Sequence, residues 1–249
     1  MPATTRPTPP KRPRRGNGAF HAATAATLLP VALSLIPAAG STGTGGGACG
    51  VYCAKERWAV KTLSDGAAHD VDMTPRTTTV SQLVAQAAPT VGSNERVPPL
   101  ETQVYTVQAT LLGYRQETDH DFHIVIADQS NAADTMIVEI PDPACTGVCS
   151  SLARDQITAA RSTFATAFAA SPPKSQYVSL VQPVTITVTG VPMFDFKHGQ
   201  VGLARNCIEL HPVLQITIPT DQPLAVRPGH EPPPAPAFTC MPEVPDTEL

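Results

Sequence analysis

The chain has 249 residues, 17 Lys and Arg against 21 Asp and Glu, and 27 prolines. That length suits one or two domains, and proline at about twice the usual content means that part of the chain is tail or linker. Arg6, Lys11, Arg12, Arg14 and Arg15 all precede the first acidic residue, Glu56, and the rest of the chain carries 12 basic against 21 acidic residues, a balance that argues against nonspecific nucleic-acid binding through phosphates.

The basic start is followed by an Ala- and Leu-rich run, Ala22 to Ile36, and then by small residues. A charged region, an apolar run of this length and a small-residue break predict a secretory signal peptide over residues 1–39, cleaved between Ala38 and Ala48. An uncleaved anchor and a disordered leader are the alternatives. Once the signal is removed, no span long enough to cross a membrane is expected. Residues 40–50 read as a Gly-rich linker. Cys49, Cys53, Cys145, Cys149, Cys207 and Cys240 form an even set, which in an exported chain reads as disulfides rather than a metal site. Six cysteines allow 15 connectivities, among them a small loop closed by Cys145 and Cys149.

Residues 51–100 form an N-terminal extension, in which Glu56 to Leu63 alternates as a strand does and Thr79 to Gln86 suits a short helix. Residues 101–218 then give period-2 runs at Thr102–Tyr114, Asp121–Ala127 and Thr135–Ile140. A helical spacing through Ala153, Ile157, Ala160, Phe164 and Phe168 follows, stopped by Pro172 and Pro173. Alternation returns at Val184, Ile186 and Val188, and again over Ile208–Ile218. The expected fold is mainly β with one helix. Three strands, a helix and two strands is the order of an OB-fold, a five-stranded barrel, with a generic α+β sandwich as the alternative. The tail, residues 219–249, is Pro-rich and expected to be extended or disordered.

Chemistry-bearing residues gather on the strand faces opposite the apolar set. Asp119, Asp121 and His123 share one parity, Glu139 lies opposite the apolar residues of its strand, and Glu209 and His211 share the outer face of the last one. Asp142, Asp195, His198, Gln200 and Asn206 sit in the flanking links. Alternating polar residues are most often a solvated face; a hydrogen-bonded structural network and a ligand or catalytic site are the other readings. In the catalytic version Asp121, His123, Glu139, Glu209 and His211 hold a divalent cation whose water attacks a phosphodiester. His211 is the most informative single residue. With Leu210 and Pro212 inward, its imidazole faces Glu209, which favours the protonated form.

The runs Glu56-Arg57-Trp58, Val60-Lys61-Thr62-Leu63, Asp119 to His123, Ile137 to Pro141, His198-Gly199-Gln200 and Asn206 with Ile208 to Pro212 resemble a family of uncharacterised, often exported bacterial proteins. The resemblance covers about residues 55 to 218 and implies kinship but no activity. Cys207 beside Asn206 departs from its pattern. A looser similarity is to staphylococcal-type nucleases, which put carboxylates around a metal on an OB-like barrel, but no arginine pair stands ready to clamp a phosphate. The chain has no P-loop, dinucleotide-binding glycine turn, His-Glu-x-x-His or nucleophile elbow. The expectation is therefore an exported binding or accessory module of the envelope or medium, secreted or periplasmic, with an unidentified ligand or envelope partner and no required cofactor. A metal-dependent hydrolase using a divalent metal is the alternative.

Overall fold

The computed structural model describes residues 50, 52, 53, 55–219, 224–235 and 237–240. The expected signal peptide and most of the expected Gly-rich linker, Cys49 included, lie outside the described residues. The fold is mainly β. One sheet contains β1 (Asp72–Thr78), β2 (Gln103–Gln116), β3 (Phe122–Asp128), β4 (Thr135–Ile140), β5 (Val178–Phe194), β6 (Ile208–Thr217) and β7 (Val226–Pro228). The α-helices among the described residues are α1 (Trp58–Lys61), α2 (Val80–Val84), α3 (Thr146–Cys149) and α4 (Arg154–Ala167).

β2, β3, β4, β6 and β5 are neighbours in that order, and β5 returns to β2, so five strands close a ring. Each pairing in the ring is antiparallel except β4 with β6, which run parallel, in register at Ile137↔Glu209 and Val138↔Leu210. β1 joins β2 in parallel and β7 joins β5 antiparallel, both outside the ring. The strand period of two sorts the side chains. Phe122, Ile124 and Ile126 of β3, Met136, Val138 and Ile140 of β4, and Ile208 and Leu210 of β6 enter one apolar core. Each such aliphatic side chain contributes about 1.5–3 kcal/mol when fully buried. α4 adds Ile157, Ala160 and Phe164, spaced on one helical face, to the same core. Phe164 meets Tyr114 edge-on at 5.2 Å and lies 4.7 Å from Phe168.

The N-terminal extension is held by buried ion pairs. Arg57 is bidentate to Glu101 at 2.7 and 2.9 Å, and Arg96 is bidentate to Asp65 at 3.0 and 2.6 Å. Arg57 also donates to the carbonyls of Gly92, Glu95 and Phe194. Arg57 has a left-handed backbone (φ 56°) where the chain turns into α1. The strand expected over Glu56–Leu63 is therefore a helical turn. The short helix expected over Thr79–Gln86 is α2, started by a capping box in which Thr79 accepts from the Gln82 amide and Gln82 accepts from the Thr79 amide.

Among the described residues two disulfides are seen, Cys53–Cys145 across 92 residues and Cys207–Cys240 across 33. Cys145 thus pairs with Cys53, not with Cys149 as one expected loop has it, and no cysteine among the described residues is free. The tail also departs from expectation. Val226–Pro228 pairs with β5, and Thr239 donates to the Arg205 carbonyl at 2.8 Å beside the bonded Cys240. Two disulfides fit an oxidising compartment. No helix among the described residues is long and apolar enough to cross a membrane.

Candidate functional site

The polar side chains of β3, β4 and β6 point where period-2 alternation sends them, away from the apolar core, but they are not solvated. His123, Glu139, Glu209 and His211 are buried, as are Asp119 and Asp121 just before β3. The solvated-face expectation fails because two segments lie over this side of the sheet. One is the turn at α1, which delivers Lys61. The other is the link between β5 and β6, which delivers Asp195 and His198. Gly202 brings that link onto β3: a Cβ there would collide with the Val125 side chain, and its φ of 78° suits glycine.

His123 and Glu139 lie on paired strands, in register with each other. His123 Nδ1 is 2.7 Å from Glu139 Oε1 and 3.3 Å from Glu117 Oε1, and its Nε2 is 2.9 Å from the Val201 carbonyl oxygen. Both ring nitrogens face acceptors, an arrangement that favours the doubly protonated ring; burial works against that charge, but Glu139 and Glu117 raise the titration of His123 overall. The other oxygen of Glu139, Oε2, is 3.3 Å from His211 Nδ1, which also lies 3.2 Å from Glu209 Oε1. His211 Nε2 faces Asp121 Oδ2 at 3.2 Å. Asp121 Oδ1 accepts the Asp142 amide, which anchors the carboxylate from the chain beyond β4. Lys61 Nζ is 3.2 Å from Asp195 Oδ2, and His198 Nε2 is 3.7 Å from the same oxygen.

Burial and charge act against each other across this cluster. Burial disfavours an imidazolium, but Asp121, Glu209 and Glu139 more than offset it and hold His211 up to about 10. Burial alone would raise Glu139; its bond to His123 and the charge of His211 lower it to about 2. Glu209 is raised to about 7 by burial and by Asp195. Asp119 is raised to about 6 by burial, then by Asp121 and Glu139. Desolvation works against the Lys61 ammonium, yet Asp195 and the other carboxylates raise it overall. Two carboxylates that titrate near neutrality therefore lie beside one that stays ionised.

A cavity of about 270 Å³ opens over the cluster. Lys55, Lys61 and Arg115 bring cations to its wall, and Glu56, Glu117, Asp119, Glu139, Asp195 and Glu209 bring carboxylates. Of the residues singled out in the sequence, Asp119, Asp121, His123, Glu139, Glu209 and His211 come together, and His198 and Gln200 stand at the cavity rim. Asn206 does not join them. Its Nδ2 donates to the carbonyls of Leu83 and Gln86, 3.0 Å each, so it braces the link against α2. Sequence reasoning missed Lys61, Glu117 and Arg115. A lysine between Val60 and Leu63 in a mostly apolar turn is the signal that marks Lys61. Two sets have ligand-capable atoms within 4.8 Å of one another, Glu117–His123–Glu139 and Asp121–Glu139–His211. Comparison with protein families, with curated proteins and with solved structures gave no match.

Proposed function

We propose that this is an exported binding module in which an OB-like barrel presents a charged pocket to a small ligand bearing both charges, of amino-acid size. The observation that carries this reading is the cavity of about 270 Å³ with Lys55, Lys61 and Arg115 on its wall among carboxylates, set over a buried charged cluster. A concave site with convergent polar groups and displaced titrations is the usual form of a small-ligand site. The lining cations suit a carboxylate, and Asp119 and Glu209 suit an ammonium, while Arg115 is paired with Glu117 at 2.6 Å. The barrel assignment draws support from the ring order, the parallel pairing of its third and fifth strands, and a helix between the third and fourth. Export draws support from the two disulfides and the basic, then apolar, leader.

The test is calorimetric titration with the free amino acids, one at a time, followed by Lys61→Met. Saturable binding by at least one, lost in the variant, is the expected result. No heat from any of them overturns the reading. A hydrolase is the second reading, favoured by Glu209, whose carboxyl titrates at about 7 on the cavity wall and can give or take a proton at neutral pH. Turnover of bis(4-nitrophenyl) phosphate by the native chain but not by Glu209→Gln is its signature, and equal rates for both remove it.

A further inference from the structure

The two buried histidines differ in one respect. Every ring nitrogen of His123 has an acceptor in good geometry. His211 has one on Nδ1, from Glu209, but its Nε2 has no hydrogen-bond partner among the described residues, and neither has Asp121 Oδ2 opposite it. Both residues are 0 % exposed. These two atoms, 3.2 Å apart and sealed from water, form an ion pair but are out of line for a hydrogen bond, so each lacks the hydrogen bond that a buried polar group requires.

We propose that Asp121, Glu139 and His211 form a binding site for a divalent cation of the zinc or manganese class. Two ligands about 2.1 Å from one ion, at angles between octahedral and tetrahedral, lie roughly 3.0–3.4 Å apart. Asp121 Oδ2 and His211 Nε2 have that separation. Glu139 supplies the third group: one oxygen of each carboxylate and a ring nitrogen of His211 lie within 4.8 Å of one another, with Glu139 Oε2 on the Nδ1 side of the ring. One imidazole and two carboxylates are a nitrogen–oxygen set that suits zinc or manganese rather than calcium or magnesium.

The surroundings have the form that outer partners of a metal site take. The Nδ1 of His211 donates to Glu209, which turns Nε2 toward the ion, and Asp121 and Glu139 are each held by a donor on their other oxygen, the Asp142 amide and His123. Charge points the same way. Five buried carboxylates (Asp119, Asp121, Glu139, Asp195 and Glu209) face Lys61, His123 and His211, so negative charge is in excess even with both rings protonated. Without an ion, a proton on His211 takes its place; with one, the same carboxylates hold the metal. Both nitrogens of His123 are already engaged by Glu139 and the Val201 carbonyl, so the Glu117–His123–Glu139 set is the weaker candidate.

The inference rests on reading this cluster as a ligand site. Its test is titration of the chelator-treated full chain with zinc chloride and with manganese chloride, read by calorimetry and elemental analysis. One equivalent of either ion binding below about 1 µM, weakened at least 100-fold by Asp121→Asn and about 10–100-fold by Glu209→Gln, is expected. Glu117→Gln leaves the affinity within about threefold. No saturable binding by native chain overturns the site whatever the variants do. So does binding that Glu117→Gln abolishes and Asp121→Asn does not. Loss of metal binding with amino-acid binding intact removes this inference alone. Metal binding with no response to any amino acid supports it while removing the pocket reading.

Discussion

The two sides of β3, β4 and β6 are buried almost equally but by opposite chemistry. One side sends Ile124, Ile126, Val138 and Leu210 into the apolar core; the other buries His123, Glu139, Glu209 and His211 beneath α1 and the link between β5 and β6. The apolar side is a consequence of folding, because removing hydrocarbon from water is favourable by itself. The polar side is not, because desolvating ions costs several kcal/mol each and is recovered only by close partners. A chain that selected only for stability fills this second layer with Leu and Val. That it holds five carboxylates and two imidazoles instead is the strongest sign that the layer serves a ligand.

The contrast is open to measurement. The largest effect is expected where a buried ion loses its partner: Glu101→Ala strands Arg57 and leaves the Phe194 and Val97 amides without acceptors, at a cost of about 3–5 kcal/mol or more in urea unfolding. On the apolar side Ile124→Ala is expected to cost about 2–5 kcal/mol, with no dependence on salt or pH. A salt-sensitive Ile124→Ala breaks the distinction. Removing the Cys207–Cys240 bond with the paired serine substitutions is expected to cost about 2–4 kcal/mol, read as a lowered melting temperature.

Acid should separate the layers in time. Burial pushes the Asp195 carboxyl up, but Lys61 and His198 draw it well below the ordinary carboxylate value. A depressed folded-state value means that its contribution is complete above about pH 4 and is lost as the pH falls. Amide exchange at residues 58–63 is therefore expected to accelerate below that pH while the β3 amides stay protected, and simultaneous loss at both sites refutes the expectation. The smallest effect belongs to neither layer. Thr79→Ala removes the cap of α2 and is expected to cost about 1 kcal/mol.

The ring strands and α4 are legible in the sequence because each writes its period in apolar residues: Met136, Val138 and Ile140 give β4, and Ile157, Ala160 and Phe164 give the helix. β1 is not, since Asp72–Thr78 is an exposed edge strand containing Pro75, with no apolar face to declare it. The Glu56–Leu63 turn misleads because its geometry is set by Arg57 meeting Glu101, 44 residues away, which no local pattern encodes. The candidate site is half legible. Alternation places His123, Glu139, Glu209 and His211 on one side of the sheet, but it carries no record of what covers them. Residue type is the clue that period lacks, since a solvated face is built from Lys, Glu and Thr, whereas this one is built from Asp, Glu and His.

The parallel seam between β4 and β6 governs how the molecule comes into being. β2, β3 and β4 follow one another along the chain and can zip as successive antiparallel neighbours, but the partner of β4 at Ile137 and Val138 is supplied only at Glu209 and Leu210. Closing a loop of that length precedes any reward from the contact, as it does where β2 meets β5, so both pairings are long-range closures that local structure cannot supply. Glu139 and Glu209 flank the same seam, so the cluster is assembled at the moment the ring shuts. A chain emerging N-terminus first carries Lys61 and Asp121 well before Glu209 and His211 exist. The charged site thus draws together residues from positions 61 to 211, and its completion waits on the C-terminal third of the chain.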